Sequence, residues 1–191
     1  TCAIPVSGYD YVVEGTKNMF FRQHCGMFYH HGKSLPYSSS ECLSHIPSTL
    51  AALRKDPDYK MNQMNRYYYI ECFDEYTEES RIKAENINGD VLLISPAFDD
   101  TWPSEIAVRR IMKVLDEKQF PHRHECMIYE KGSHALCFDQ RYETQEEKKA
   151  VDKMNKMMSY ILPTEKNHPK ECAEARQESY FKMVEFLKEW Q

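Results

Sequence analysis

An acid and a histidine, each set just past an apolar run, are the residues of this chain best placed to do chemistry. Val91-Leu-Leu-Ile94 leads into the acidic turn Phe98-Asp99-Asp100, and His124-Glu-Cys-Met-Ile-Tyr129 leads into Gly132-Ser133-His134. If the two runs are neighbouring parallel strands, both turns open on one edge, because loops at the carboxyl ends of such strands converge on one crevice. An Asp placed there accepts the Nδ1 proton of an imidazole, fixes its tautomer and stabilises the imidazolium formed during general-base catalysis. Acid and histidine are two of the three groups of a nucleophile–base–acid triad. The third, a nucleophile on a Gly-x-Ser-x-Gly elbow, does not occur in this sequence. Ser7 and Ser133 are the serines nearest the expected site, and neither sits between the two glycines of an elbow. Ser7 and Trp102 are candidates for lining a substrate cleft. Two plainer readings stand beside this one. Asp99-Asp100 can form an Asx-turn leading into a helix, and His134 can be a surface turn residue.

The elements that must position these groups follow from the pattern. The continuous apolar run 91–94 suits a strand buried on both faces of a parallel sheet. Ser104 is expected to cap a helix with Glu105 in its first turn, and Ile106, Ile111, Val114 and Leu115 recur at helical spacing. Pro121 and His122 end it, and the alternating run 124–129 reads as a second strand. Strand, helix, strand is a βαβ unit. Residues 1–6 form a further short apolar strand with turn chemistry at Ser7-Gly8. Residues 9–86 are irregular and rich in Tyr, Met and His, with turns at Gly32-Lys33 and Leu35-Pro36, a helix cap at Pro47-Ser48 and a helix over 61–71. Residues 15–87 are expected to be a cap-like insertion within one domain. Residues 143–161 predict a charged, exposed helix and 163–169 a loop. Residues 171–190 predict an amphipathic terminal helix with Ala175, Tyr180, Met183, Val184, Phe186 and Leu187 on one face.

At 191 residues, 41% of them hydrophobic and 13% aromatic, the chain suits one globular domain. A net charge of −5 gives no electrostatic reason to expect nucleic acid or an anionic membrane as partner, and Arg109-Arg110 reads as a solvated helix face. Seven cysteines, an odd number without Cys-x-x-Cys, suggest neither a disulfide framework nor a zinc site and fit a reducing cytoplasm. His30-His31 and His122-x-His124 lack acids or cysteines at ligand spacing, so no metal is expected. No apolar run approaches the roughly 18 residues of a membrane helix. The opening Thr1-Cys-Ala-Ile-Pro-Val6 resembles the inside of a strand, which leads to the expectation of a segment upstream.

The strings Leu-Leu-Ile-Ser-Pro-Ala-Phe-Asp99-Asp-Thr-Trp102-Pro-Ser104 and Tyr129-Glu-Lys-Gly-Ser-His134 resemble the C-terminal catalytic domain shared by acyl-CoA thioesterases and bile acid-CoA:amino acid N-acyltransferase. The resemblance runs from about residue 87 to the C-terminus and includes residues 1–8. It implies an α/β fold: the C-terminal part of an α/β-hydrolase fold, with parallel strands and flanking helices. It also implies Asp99 and His134 as triad acid and base, an acyl ester or acyl-CoA substrate, and no cofactor. Trp102 sets the register that puts the acid at Asp99, with Asp100 as its neighbour. Pro96 in place of Gly, Ser133 between Gly132 and His134, and Tyr180 in place of Trp depart from the family pattern. The nucleophile elbow would precede residues 1–6. This chain is therefore expected to be inactive alone, its serine or cysteine nucleophile coming from the missing upstream segment. The alternatives are an inactive module that self-associates, as a homodimer, through its exposed sheet edge, and a peptidase or carboxylesterase of the same fold.

Overall fold

The structure is a computed structural model that describes residues 2–17, 21–38 and 76–190, with Pro47, Ala51, Arg54, Lys55, Arg66, Tyr69 and Ile70 between them. The strands are β1 (Cys2–Ala3), β2 (Glu14–Lys17), β3 (Phe21–Gly26), β4 (Tyr29–His30), β5 (Lys33–Ser34), β6 (Asp90–Pro96) and β7 (His124–Tyr129). The helices are α1 (Ser104–Glu117), α2 (Gln145–Ile161), α3 (Pro163–Asn167) and α4 (Pro169–Glu189). Two 3₁₀ turns, Glu78–Ser80 and Ala84–Asn86, lead into β6.

A three-stranded parallel sheet in the order β1-β6-β7 is the scaffold of the α/β fold. Val6 extends the β1 side by a parallel bridge to Ile94. Side chains alternate across a strand, and β6 shows what that does in a sheet covered on both sides. Val91 and Leu93 enter one core with Val108, Ile111 and Leu115 of α1. Leu92 and Ile94 enter the other with Leu136 and with Ala175 and Phe186 of α4. All four β6 residues are at most 1% exposed, which is why this strand reads as an unbroken apolar run. Fully burying one such side chain is worth about 1.5–3 kcal/mol.

Four expectations need correction. Ser104 is the first residue of α1 and Pro103 the N-cap, which makes no side-chain cap bond; the Ser104 hydroxyl is drawn to a charged acceptor, described below. The expected loop over 163–169 contains α3, with Pro163 at its first position, where a missing N–H costs nothing. The buried stripe of α4 is Cys172, Ala175, Arg176, Ser179 and Phe186, whereas Leu187 is exposed; polar residues fill the stripe where the helix meets the histidine loop. Arg109 is exposed as expected, but Arg110 is only partly so, its side chain 34% exposed and paired to the buried Asp10 at 2.6 Å. The exposed, charged α2 is present, with Thr144 and Glu147 forming a capping box. Among the described residues, β2–β3 and β4–β5 form two separate antiparallel pairs and add nothing to the parallel sheet. The helix cap at Pro47-Ser48 and the helix over 61–71 lie largely outside the described residues.

Candidate active site

β6 and β7 run in register, Ile94 against Met127 and Pro96 against Tyr129, so their outgoing turns leave side by side. Ala97 donates its N–H to the Tyr129 carbonyl at 2.9 Å and continues the ladder one step. The turn after β7 passes close beneath. A Cβ on Gly132 would stand 3.0 Å from the Cβ of Tyr129 and 3.4 Å from that of Pro96, so a larger residue here would require its neighbours to give by a few tenths of an ångström.

The turns bring Asp99 and His134 together. His134 Nδ1 lies 2.9 Å from Asp99 Oδ2 and 3.1 Å from Oδ1. Asp99 is wholly buried, whereas the imidazole keeps 26% of its side-chain surface open. With Nδ1–H donating to the carboxylate, Nε2 is left with its lone pair. The Asx-turn reading is realised by the same carboxylate, whose Oδ1 accepts the N–H groups of Thr101 at 2.9 Å and Trp102 at 3.3 Å. Ser104 Oγ donates to Oδ2 at 2.5 Å and lies 2.9 Å from Ser95 Oγ. A buried carboxylate needs such donors to remain charged away from water.

Trp102 and Ser7 join the two turns to β1. The Trp102 ring meets His134 edge-on, with centroids 4.5 Å apart, and its Nε1–H donates to the Ser7 carbonyl at 2.7 Å. The Ser7 hydroxyl donates to the His134 carbonyl at 3.0 Å and not to the ring. Ser7 has φ 45°, in the left-handed region, a strained conformation for a residue with a Cβ. Asp100 faces the other way. Its Oδ2 accepts the Thr164 N–H at 3.1 Å, and burial pushes its carboxyl above the usual carboxylate range.

The residues of this site not picked out in the sequence are two buried ion pairs. Arg66 pairs with Glu105 at 2.5 Å and donates to the Asp99 carbonyl at 2.8 Å. Glu105 in turn accepts the Asp99 N–H at 3.3 Å. The main chain of the acid is thus bracketed by one Arg–Glu pair. On the histidine side Arg176 pairs with Glu165, both side chains 1% exposed. Glu105 carried a signal in its place directly after Ser104; Arg66 and Arg176 carried none.

The sequence model described as BAAT / Acyl-CoA thioester hydrolase C terminal matches residues 24–190, most of the chain. The chain belongs to this family. No curated protein and no solved structure matches it. As a member of the BAAT / acyl-CoA thioester hydrolase C-terminal family it is an α/β domain of the acyl-CoA thioester hydrolase and acyltransferase type, in agreement with the parallel sheet and its flanking helices. No helix among the described residues is long and apolar enough to cross a membrane.

Proposed function

We propose that this chain supplies the acid and the base of an acyl-transfer site acting on an acyl-CoA thioester. Asp99 holds the Nδ1 proton of His134. Nε2 takes the proton of a serine or cysteine nucleophile as that group attacks the thioester carbonyl. Collapse of the tetrahedral intermediate expels the CoA thiolate, which takes the proton back from His134 and leaves as the thiol. Water or an amine then attacks the acyl-enzyme by the same proton path, giving the acid or the amide. No Gly-x-Ser-x-Gly elbow occurs in the sequence, and among the described residues the serine bonded to His134 bonds its carbonyl; this reading therefore takes the nucleophile from outside these 191 residues. Ser7 and Trp102 line the cleft beside the imidazole; the cap expected over residues 15–87 lies partly outside the described residues.

One observation carries the reading: an imidazole with about a quarter of its surface open, whose Nδ1 is 2.9 Å from a fully buried carboxylate. Two assays test it. The chain alone should turn over neither p-nitrophenyl esters nor acyl-CoA; turnover abolished by His134→Ala would place the nucleophile inside the chain. Fused behind the elbow-bearing half of a family thioesterase, the chain should hydrolyse acyl-CoA. There His134→Ala and Asp99→Asn should lower kcat by about 10³-fold or more. Retention of activity in His134→Ala would overturn the assignment. A panel of acyl-CoA, ester and peptide substrates separates the thioesterase from a carboxylesterase or peptidase.

A second reading is an inactive module that self-associates. It is favoured by β1 and β7, each of which has a partner strand on one side only among the described residues. Open edges template pairing with another chain. Light scattering decides it, and a monomer at high concentration would count against it.

A further inference from the structure

Ser133 stands between Gly132 and His134, and in the structure it has a partner that the sequence does not announce. Its side chain is fully buried. Its Oγ donates to Glu165 Oε1 and accepts the Ala135 N–H at 3.2 Å. Glu165, on α3, is paired with Arg176 of α4. Arg176 Nη1 also reaches the Ala135 carbonyl at 3.5 Å, and Nη2 donates to Asn155 Oδ1 of α2 at 3.0 Å. One turn further along α4, Ser179 Oγ accepts the Cys137 N–H at 2.9 Å. The residues before and after His134 are therefore tied to α3 and α4, and through Arg176 to α2, while its ring meets Asp99 and Trp102.

We propose that the buried Ser133–Glu165–Arg176 network positions His134, holding its ring at the angle that keeps Nδ1 on Asp99 and Nε2 toward the open side. The inference rests on the reading of His134 as the base. A buried ion pair adds little net stability over apolar residues of similar volume. What this pair supplies is geometry, and a general base must hold its place within about 0.5 Å to work. The network touches no reacting atom; its members are positioning residues.

The test uses the ¹⁵N-labelled full chain and the ring resonances of His134. In the wild type Nδ1, 2.9 Å from Asp99 Oδ2, should carry the proton, and that N–H should exchange slowly with water. Two variants cut the network. Glu165→Leu with Arg176→Met removes both charges together, so that no unpaired charge is left buried. Ser133→Ala removes the small link and keeps the pair. In each, exchange of the Nδ1 proton should rise about tenfold as the bond to Asp99 loosens, the tautomers should begin to average, and the urea midpoint of the double variant should stay near wild type. A purely structural role predicts the reverse, a lower midpoint with an unchanged His134 signal, and that result overturns the proposal. Asp99→Asn separates the two claims. If it leaves the His134 ring signals of the wild type unchanged, the reading of Asp99 and His134 fails, and the positioning role fails with it.

Discussion

Arg66→Met removes a guanidinium that holds the acid turn in three ways. It makes hydrogen bonds of 2.5 and 3.1 Å to Glu105, donates to the Asp99 carbonyl at 2.8 Å, and lies 4.1 Å from the centre of the Phe98 ring. Both charged side chains are 10% exposed, so the substitution leaves Glu105 as a buried carboxylate without a counter-charge. Breaking a buried pair from one side costs about 3–5 kcal/mol. The ring contact contributes about 0.5–1 kcal/mol, because Phe98 is half exposed. The unpaired Asp99 carbonyl adds about 1 kcal/mol. These losses overlap in space, so the expected total is about 4 kcal/mol, which for a chain of this size lowers Tm by roughly 8–16 °C. Adding Glu105→Leu should recover most of it, leaving a deficit of about 1–2 kcal/mol from the bare N–H and C=O of Asp99. Urea unfolding gives the free energies. Circular dichroism reports the whole chain, and fluorescence in a Trp190→Phe background reports Trp102, whose own N–H rests on Asp99. A loss below about 1 kcal/mol in Arg66→Met, or a double variant whose cost is the sum of the singles, would refute the reasoning.

Ser104→Ala deletes the hydroxyl that donates to Asp99 Oδ2 and should cost about 1.5–3 kcal/mol, as expected for a bond to a charged acceptor; an unchanged urea midpoint would sink that reading. The Arg81 guanidinium beside Glu85 lowers its carboxyl from 4.5 to about 2. A depressed acid stabilises the fold above its unfolded value, so this contribution is present at neutral pH and fades as pH falls from about 4.5 to about 2; wild type should therefore lose more stability than Glu85→Gln over that window. Burial pushes the Cys172 thiol up to about 12, with its Sγ donating to the Lys131 carbonyl at 3.1 Å. It should resist alkylation at pH 8 until the chain unfolds, and peptide mass mapping that finds it modified at the rate of a free thiol would contradict the packing.

Much of the scaffold was legible because it rests on local pattern. The run 91–94 and the spacing of α1 each report burial by periodicity, and the turns after β6 and β7 advertise Asp99 and His134 by position. The stripe of α4 was misjudged for a physical reason. Periodicity ranks residues by polarity, and the face of α4 that meets the histidine loop is polar, since Arg176 and Ser179 are both fully buried there. The same blindness hid Ser104, whose expected capping role was a local rule overridden by a buried carboxylate five residues upstream.

The two Arg–Glu pairs show why a charged residue can be read from its neighbours only when its partner is close in the chain. Arg66 and Glu105 stand 39 residues apart; the place of Glu105 after Ser104 marks a helix start, but nothing local in either segment announces the pairing. Glu165 and Arg176, 11 apart, belong to two helices where a loop and an apolar stripe were expected. Each pair has a carboxylate in the first turn of its helix, Glu105 in α1 and Glu165 in α3, where partial positive charge favours an acid. Each also has an arginine arriving from elsewhere in the chain to complete it. A substitution in either arginine should therefore act on the Asp99–His134 pair from a distance, through the main chain of one turn. It should leave the other turn in place, since the two pairs share no residue.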